Sequence, residues 1–86
     1  MRPAPVPLSA LSQQAYEAVA EHTAFPWPIF TTQCRRHSVD PANLGPTDLK
    51  SVLEDLVSGV TAYTSPAKGQ LVRQRLVALL GGPAPH

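Results

Sequence analysis

The residues with the strongest claim to chemistry in this chain are Cys34 and His37, in the run Cys34-Arg35-Arg36-His37. A thiol and an imidazole three positions apart share one face of a helix, and both are good zinc ligands. A structural zinc site needs four ligands, however, and the chain has one cysteine and three histidines, one of them, His86, in a Gly/Pro-rich end. His22 is the other histidine that a neighbouring helix would bring near. A lone cysteine on an apolar stripe reads as a core residue, so neither a metal nor a cofactor is expected. Serine, histidine and aspartate are all present, but no nucleophile elbow, glycine-rich phosphate loop or pair of carboxylates frames them. A non-enzymatic protein is the expectation.

A second kind of chemistry is suggested by basic residues. Lys68, Arg73 and Arg75 lie near the end of the chain with no acid among them. Gln70, Arg73 and Gln74 share the outer face of the helix that carries them, a combination used on base edges, and Lys68 would add a phosphate contact. The last two helices resemble a helix-turn-helix in outline, with Gly59-Val60-Thr61 at the turn. Asp55, Ser58 and Pro66 depart from that pattern. A small DNA-binding regulator using Lys68, Gln70, Arg73 and Gln74 is therefore the alternative reading.

The third kind is association with protein. Phe25-Pro26-Trp27-Pro28-Ile29-Phe30 packs three of the five aromatic residues into six positions. Ile29 lies about 100° from Phe30 on a helical wheel, so a core of this size is not expected to take Trp27, Ile29 and Phe30 together. Leu71 and Val77 fall outside the apolar stripe of their helix in the same way. With Arg35, Arg36 and Arg73 as steering charges, these residues form the expected interface, since Trp, Phe and Arg are enriched at interface centres. Glu17, Glu21, Glu54 and Asp55 offer complementary charge, within or between chains.

The elements that must position these groups are helices. Ser9 is an N-cap for a first helix reaching about Thr23, with Leu8, Leu11, Ala15, Ala18 and Val19 as its stripe. Pro26 closes it, and Pro28 opens a second helix to about His37, facing inward through Phe30, Cys34 and His37. Turn signals at Asp40-Pro41 and Asn43-Leu44-Gly45-Pro46 make the next segment a loop. Gly45, Pro46 and Asp48 start the clearest helix of the chain, Pro46 to Tyr63. Its residues Leu49, Val52, Leu53, Leu56, Val57, Val60 and Tyr63 fall within an arc of roughly 140°. Gly59 is its weak point, but Val60 and Tyr63 keep to the arc and the helix is carried to Tyr63. Ser65-Pro66 starts a fourth helix that ends near Leu80, with a connection of about two residues before it. No sustained alternation reads as a strand.

Together these give an all-α domain of four helices over residues 8–80, flanked by a disordered Pro-rich tail at 1–7 and a flexible Gly/Pro tail at 81–86. A core this small is marginal, and one cysteine excludes an intramolecular disulfide. Charged residues make up 15% of the chain, below the usual quarter, which leaves apolar surface to cover and favours a homo-oligomer or a hetero-complex. A net charge of +1 argues for neither a nucleic-acid tail nor a polyacidic partner mimic and leaves local patches to judge. No stretch is long enough for a membrane span and no signal peptide is apparent, so the chain is expected to be cytoplasmic. Its Ala, Pro, Leu and Arg usage suits a bacterial genome. The expected function is an adaptor or regulatory subunit that binds protein.

Overall fold

The computed structural model of the chain describes residues 6–81, and readings that concern residues 1–5 and 82–86, His86 among them, lie outside it. Four helices form an all-α bundle: α1 (Ala10–Ala20), α2 (Pro26–Arg36), α3 (Pro46–Tyr63) and α4 (Pro66–Leu79). Among the described residues there is no strand, and no helix is long and apolar enough to cross a membrane.

Local chemistry accounts for each helix start. Ser9 and Ser65 are extended N-caps whose hydroxyls accept from the Ser12 and Lys68 amides, each at 3.3 Å. At α3 the Asp48 carboxylate accepts from the Gly45 amide at 3.1 Å, while Pro46 occupies the first helical position. Helix α2 begins two residues earlier than expected, at Pro26. The first amides of a helix have no partner inside it, so prolines at 26 and 28 both fit the first turn without loss of a hydrogen bond. Helix α1 ends at Ala20, with Glu21 as C-cap, three residues short of the expected Thr23 and well before Pro26.

Helix α3 runs unbroken through Gly59. The turn between α3 and α4 is therefore Thr64-Ser65, and the glycine that a helix-turn-helix would place in its turn is inside a helix. α3 touches all three other helices, α1 does the same, and α2 and α4 do not meet. The two therefore lie at opposite corners of the bundle, with α1 and α3 between them. The basic residues of α2 and α4 consequently do not merge into one surface.

The core is built on α3, which contributes Leu49, Val52, Leu53, Leu56, Val57 and Val60. From α1 come Ala15, Tyr16, Ala18 and Val19, from α2 Ile29, Phe30 and Cys34, and from α4 Val72 and Leu76. Leu8 and Leu11, expected on the α1 stripe, are only partly buried, as are Leu79 of α4 and its C-cap Leu80. Tyr16 stands at the centre of an aromatic cluster, edge-on to Trp27 at 5.7 Å and to Phe30 at 5.9 Å between ring centroids.

Two polar residues are buried with their partners. Thr31 Oγ1 donates to the Trp27 carbonyl at 2.8 Å, and Ser12 Oγ accepts from the Leu44 amide at 2.7 Å. The second bond, with Ser9 N–H donating to the Ala42 carbonyl at 2.8 Å, ties the α2–α3 loop to the start of α1. It lets a loop residue, Leu44, enter the core without leaving its amide unpaired.

Candidate functional site

Ile29 and Phe30, expected at an interface, are core residues with 4% and 0% exposure. The expectation that α2 has one inward face overlooked its position. It lies in the notch between α1 and α3, so Phe30 packs on Tyr16 of α1 while Ile29 packs on α3 at Gly59. Two residues 100° apart are buried against different neighbours. Trp27 is half-buried in the same aromatic cluster. His37, expected on the inward face, is exposed; its Nε2 lies 2.5 Å from the Asp55 carboxylate, joining the end of α2 to α3.

Leu71 is exposed, as expected, and borders a shallow recess with His22, Gln74 and Arg75. Val77 is partly buried and borders another, with Leu53, Lys50, Glu54 and Leu80. The arginines of α4 have partners within the chain: Arg73 is bound to Glu54 of α3, and Arg75 to Glu21 of α1. Each pair joins α4 to a different helix, and being solvent-exposed each adds little stability. What they do change is the charge of the face that nucleic acid would need. Lys68, Gln70 and Gln74 remain exposed there, with Lys68 as the cation without an acidic partner among the described residues. On α2, Arg35 and Arg36 are exposed and likewise make no ion pair among the described residues.

No group of three or more metal-ligating side chains exists among the described residues. Cys34 is fully buried, and its thiol is pushed up to about 11, first by burial and then by the Asp40 and Asp48 carboxylates. A thiol held neutral in this way is a poor nucleophile and a poor ligand. The sign of its linkage to stability follows. An unfolded chain ionises Cys34 near its ordinary 9.0 whereas the folded chain keeps the proton to about 11, so stability is unaffected below pH 9 and falls as pH rises from there towards 11. Unfolding free energies from urea titrations between pH 9 and 10.5 should fall more steeply in the native chain than in Cys34→Ala, by about 1 kcal/mol per pH unit.

The surface that stands out is a groove of about 390 Å³ between α2 and α3, lined by Phe25, Pro28, Ile29, Thr32, Gln33, Gly59 and Tyr63. None of these side chains is charged. Tyr63 and Phe25, on its rim, are 71% and 62% exposed, the most exposed large apolar side chains among the described residues. Tyr63 was expected on the buried arc of α3. It is level with the first residues of α2, where no further helix turn remains to cover it.

Gly59 lets the two helices approach: a Cβ there would stand 2.9 Å from Ile29 Cγ2. Gln33 lies across from it, and its Oε1 is buried without a hydrogen-bond partner among the described residues. Phe25 occupies the N-cap of α2 and makes no side-chain cap bond, and with Pro26 and Pro28 in the first turn Trp27 offers the one amide among the first three helical positions. Two exposed rings and an orphaned amide oxygen fall around this groove, whereas the other buried polar atom without a partner among the described residues, Arg73 Nε, lies on α4. The rings make the groove the candidate site. Sequence reading singled out the Phe25–Phe30 segment but neither Phe25 nor Tyr63 as site residues, because α2 was expected to open at Pro28 and Tyr63 to lie on the buried arc of α3. Comparison with protein-family models, curated proteins and solved structures found no significant match to this chain.

Proposed function

We propose that the chain is a non-enzymatic protein-interaction module, self-associating or serving as an adaptor or regulatory subunit, that docks apolar protein surface on the α2–α3 groove. The carrying observation is the pair of exposed rings, Phe25 and Tyr63, on the rim of an uncharged groove. Aromatic side chains over a recess are the usual anchors of protein interfaces, and isolated small domains seldom leave two such rings in water without a use. Work in the cytoplasm fits this reading, because a single buried, neutral cysteine suits a reducing compartment.

A photo-reactive phenylalanine analogue placed at position 63 tests the site directly. In cells it should form discrete protein adducts that disappear when Phe25→Ser is added, while the same analogue at the α1 position of Gln14, on an exposed face, should form none of them. Identical patterns from positions 63 and 14 would reject the groove as a docking site.

A further inference from the structure

We infer that Ser38 is a phosphorylation site, the acceptor for an arginine-directed serine kinase that uses ATP. None of the residues concerned lines the α2–α3 groove, so the site is separate from the docking surface proposed above.

Helix α2 ends in a Schellman turn. The Ser38 amide donates to the Arg35 carbonyl at 3.1 Å and the Val39 amide to the Cys34 carbonyl at 3.0 Å, a closure that puts position 38 in the left-handed conformation. Glycine is the usual residue at such a position. Here it is serine, at φ 57°, and among the described residues it is the one non-glycine residue with positive φ. Its side chain is exposed, and its hydroxyl has no hydrogen-bond partner among the described residues. The hydroxyls of Ser9, Ser12, Ser51 and Ser65 are engaged by backbone groups. Ser58 is exposed with a free hydroxyl too, but it lies inside α3 behind Glu54 and Asp55.

The charges around Ser38 suit a kinase. Kinases select substrates by charge pattern, and arginine-directed enzymes meet guanidinium groups ahead of the acceptor serine with their own carboxylates. Arg35 and Arg36 stand in that place, both exposed and both without an ion pair among the described residues, whereas Arg73 and Arg75 are held by Glu54 and Glu21. An apolar residue, Val39, follows the serine. Because a kinase takes its substrate extended, the last turn of α2 has to open. Opening releases the backbone bonds accepted by Cys34 and Arg35, the His37–Asp55 contact and a half-buried Val39, while the rest of α2 stays packed. Serine in a left-handed conformation is strained relative to glycine, which favours that opening.

In the transfer, Ser38 Oγ bonds to the γ-phosphorus of ATP as the bond from that phosphorus to the β–γ bridging oxygen breaks. ADP leaves, and the hydroxyl proton passes to the catalytic aspartate of the kinase. The product carries a charge of about −1.5 to −2. Arg35 and Arg36 are at hand to pair it, and the neighbouring His37 gains an acceptor of higher charge than Asp55, so modification bears on the contact that ties α2 to α3.

The full chain, incubated with ATP, magnesium and the catalytic subunit of cyclic-AMP-dependent protein kinase, tests the site. Intact mass should rise by one phosphate, which Ser38→Ala abolishes and Ser58→Ala leaves in place. Arg35→Ala and Arg36→Ala should each lower kcat/KM at least about tenfold, with circular dichroism confirming that each variant is folded. Access by local opening should keep the folded chain less than about a thousandfold slower than an unstructured peptide of residues 33–41, since only global unfolding imposes a larger factor. A greater lag, phosphate on another residue, or no phosphate would overturn the inference. Chain recovered from its own cells with phosphatases inhibited should carry the phosphate at Ser38, and unmodified chain from that source would overturn it equally.

Discussion

Replacing Phe30 by alanine should destabilise the fold by about 3–5 kcal/mol, the range for removing a buried aromatic side chain. Phe30 is fully buried, and its ring joins α2 to α1 through Tyr16 while lying 6.2 Å from the Trp27 ring. Truncation leaves a cavity at the junction of two helices and removes the edge-on contact that fixes the Tyr16 ring. For a domain of this length total stability is on the order of 5–10 kcal/mol, so one substitution removes a large share of it. The urea midpoint should drop sharply with an unchanged slope, because the unfolded surface is the same. Phe30→Leu, which keeps most of the volume, should cost less than half as much. A loss below about 1 kcal/mol in Phe30→Ala would contradict the packing of the aromatic cluster.

The second large effect is expected at Gly69. Glycine inside a helix costs about 1 kcal/mol relative to alanine, so Gly69→Ala on an isolated α4 would be stabilising. In the folded chain Gly69 is buried where α4 crosses α3, and a Cβ would run into Thr61 Oγ1 while standing 3.4 Å from the Val57 carbonyl oxygen. Thr61 can exchange between two rotamers in a helix, but its own Cβ, which no rotation moves, lies 3.3 Å from the added atom, so the contact stays tight in either rotamer. Overpacking should win, with a net loss of about 1–2 kcal/mol for Gly69→Ala and about 3 kcal/mol or more for Gly69→Val. Thr61→Ala removes the obstacle, and in the double variant Gly69→Ala should become neutral or stabilising. The coupling energy of the cycle, read from denaturation midpoints, separates this close approach from any general intolerance of α4. Absence of coupling would show that the helices do not meet at Gly69.

The same pair of helices shows how local and global signals divide. Ser65-Pro66 announces the start of α4 in the chain itself, whereas Gly69 reads there only as a weak spot in a helix. Its purpose exists solely in the distance to α3. Gly59 is similar. By propensity it argues for a break, and α3 continues through it because Val60 is fully buried in the core and Ile29 fills the space a side chain would take. Arg73 and Arg75 look like a free basic face along the sequence, and the acids that occupy them, Glu54 and Glu21, are brought up by two other helices. The groove between α2 and α3 belongs to this second class, since Phe25 and Tyr63 are far apart in the chain and its floor comes from both elements.

What the sequence by itself determined was the all-α class, the four helices and where α1, α3 and α4 begin, with α3 placed residue for residue, while α2 starts two residues ahead of the proline expected to open it. Helix starts are decided within a turn, by cap hydroxyls, prolines at the first positions and the carboxylate of Asp48, so they need no knowledge of the rest of the fold. Which faces are buried was decided only by the tertiary structure. An amphipathic stripe predicts burial when the neighbours of a helix gather along one arc, as those of α3 largely do. Helix α2 has its two neighbours on different sides, and its position between α1 and α3 buries Ile29 and Phe30 separately while exposing His37. At the end of α3 the opposite holds: Tyr63 keeps the period of a core residue but has no helix turn beside it, and that missing cover creates the candidate site.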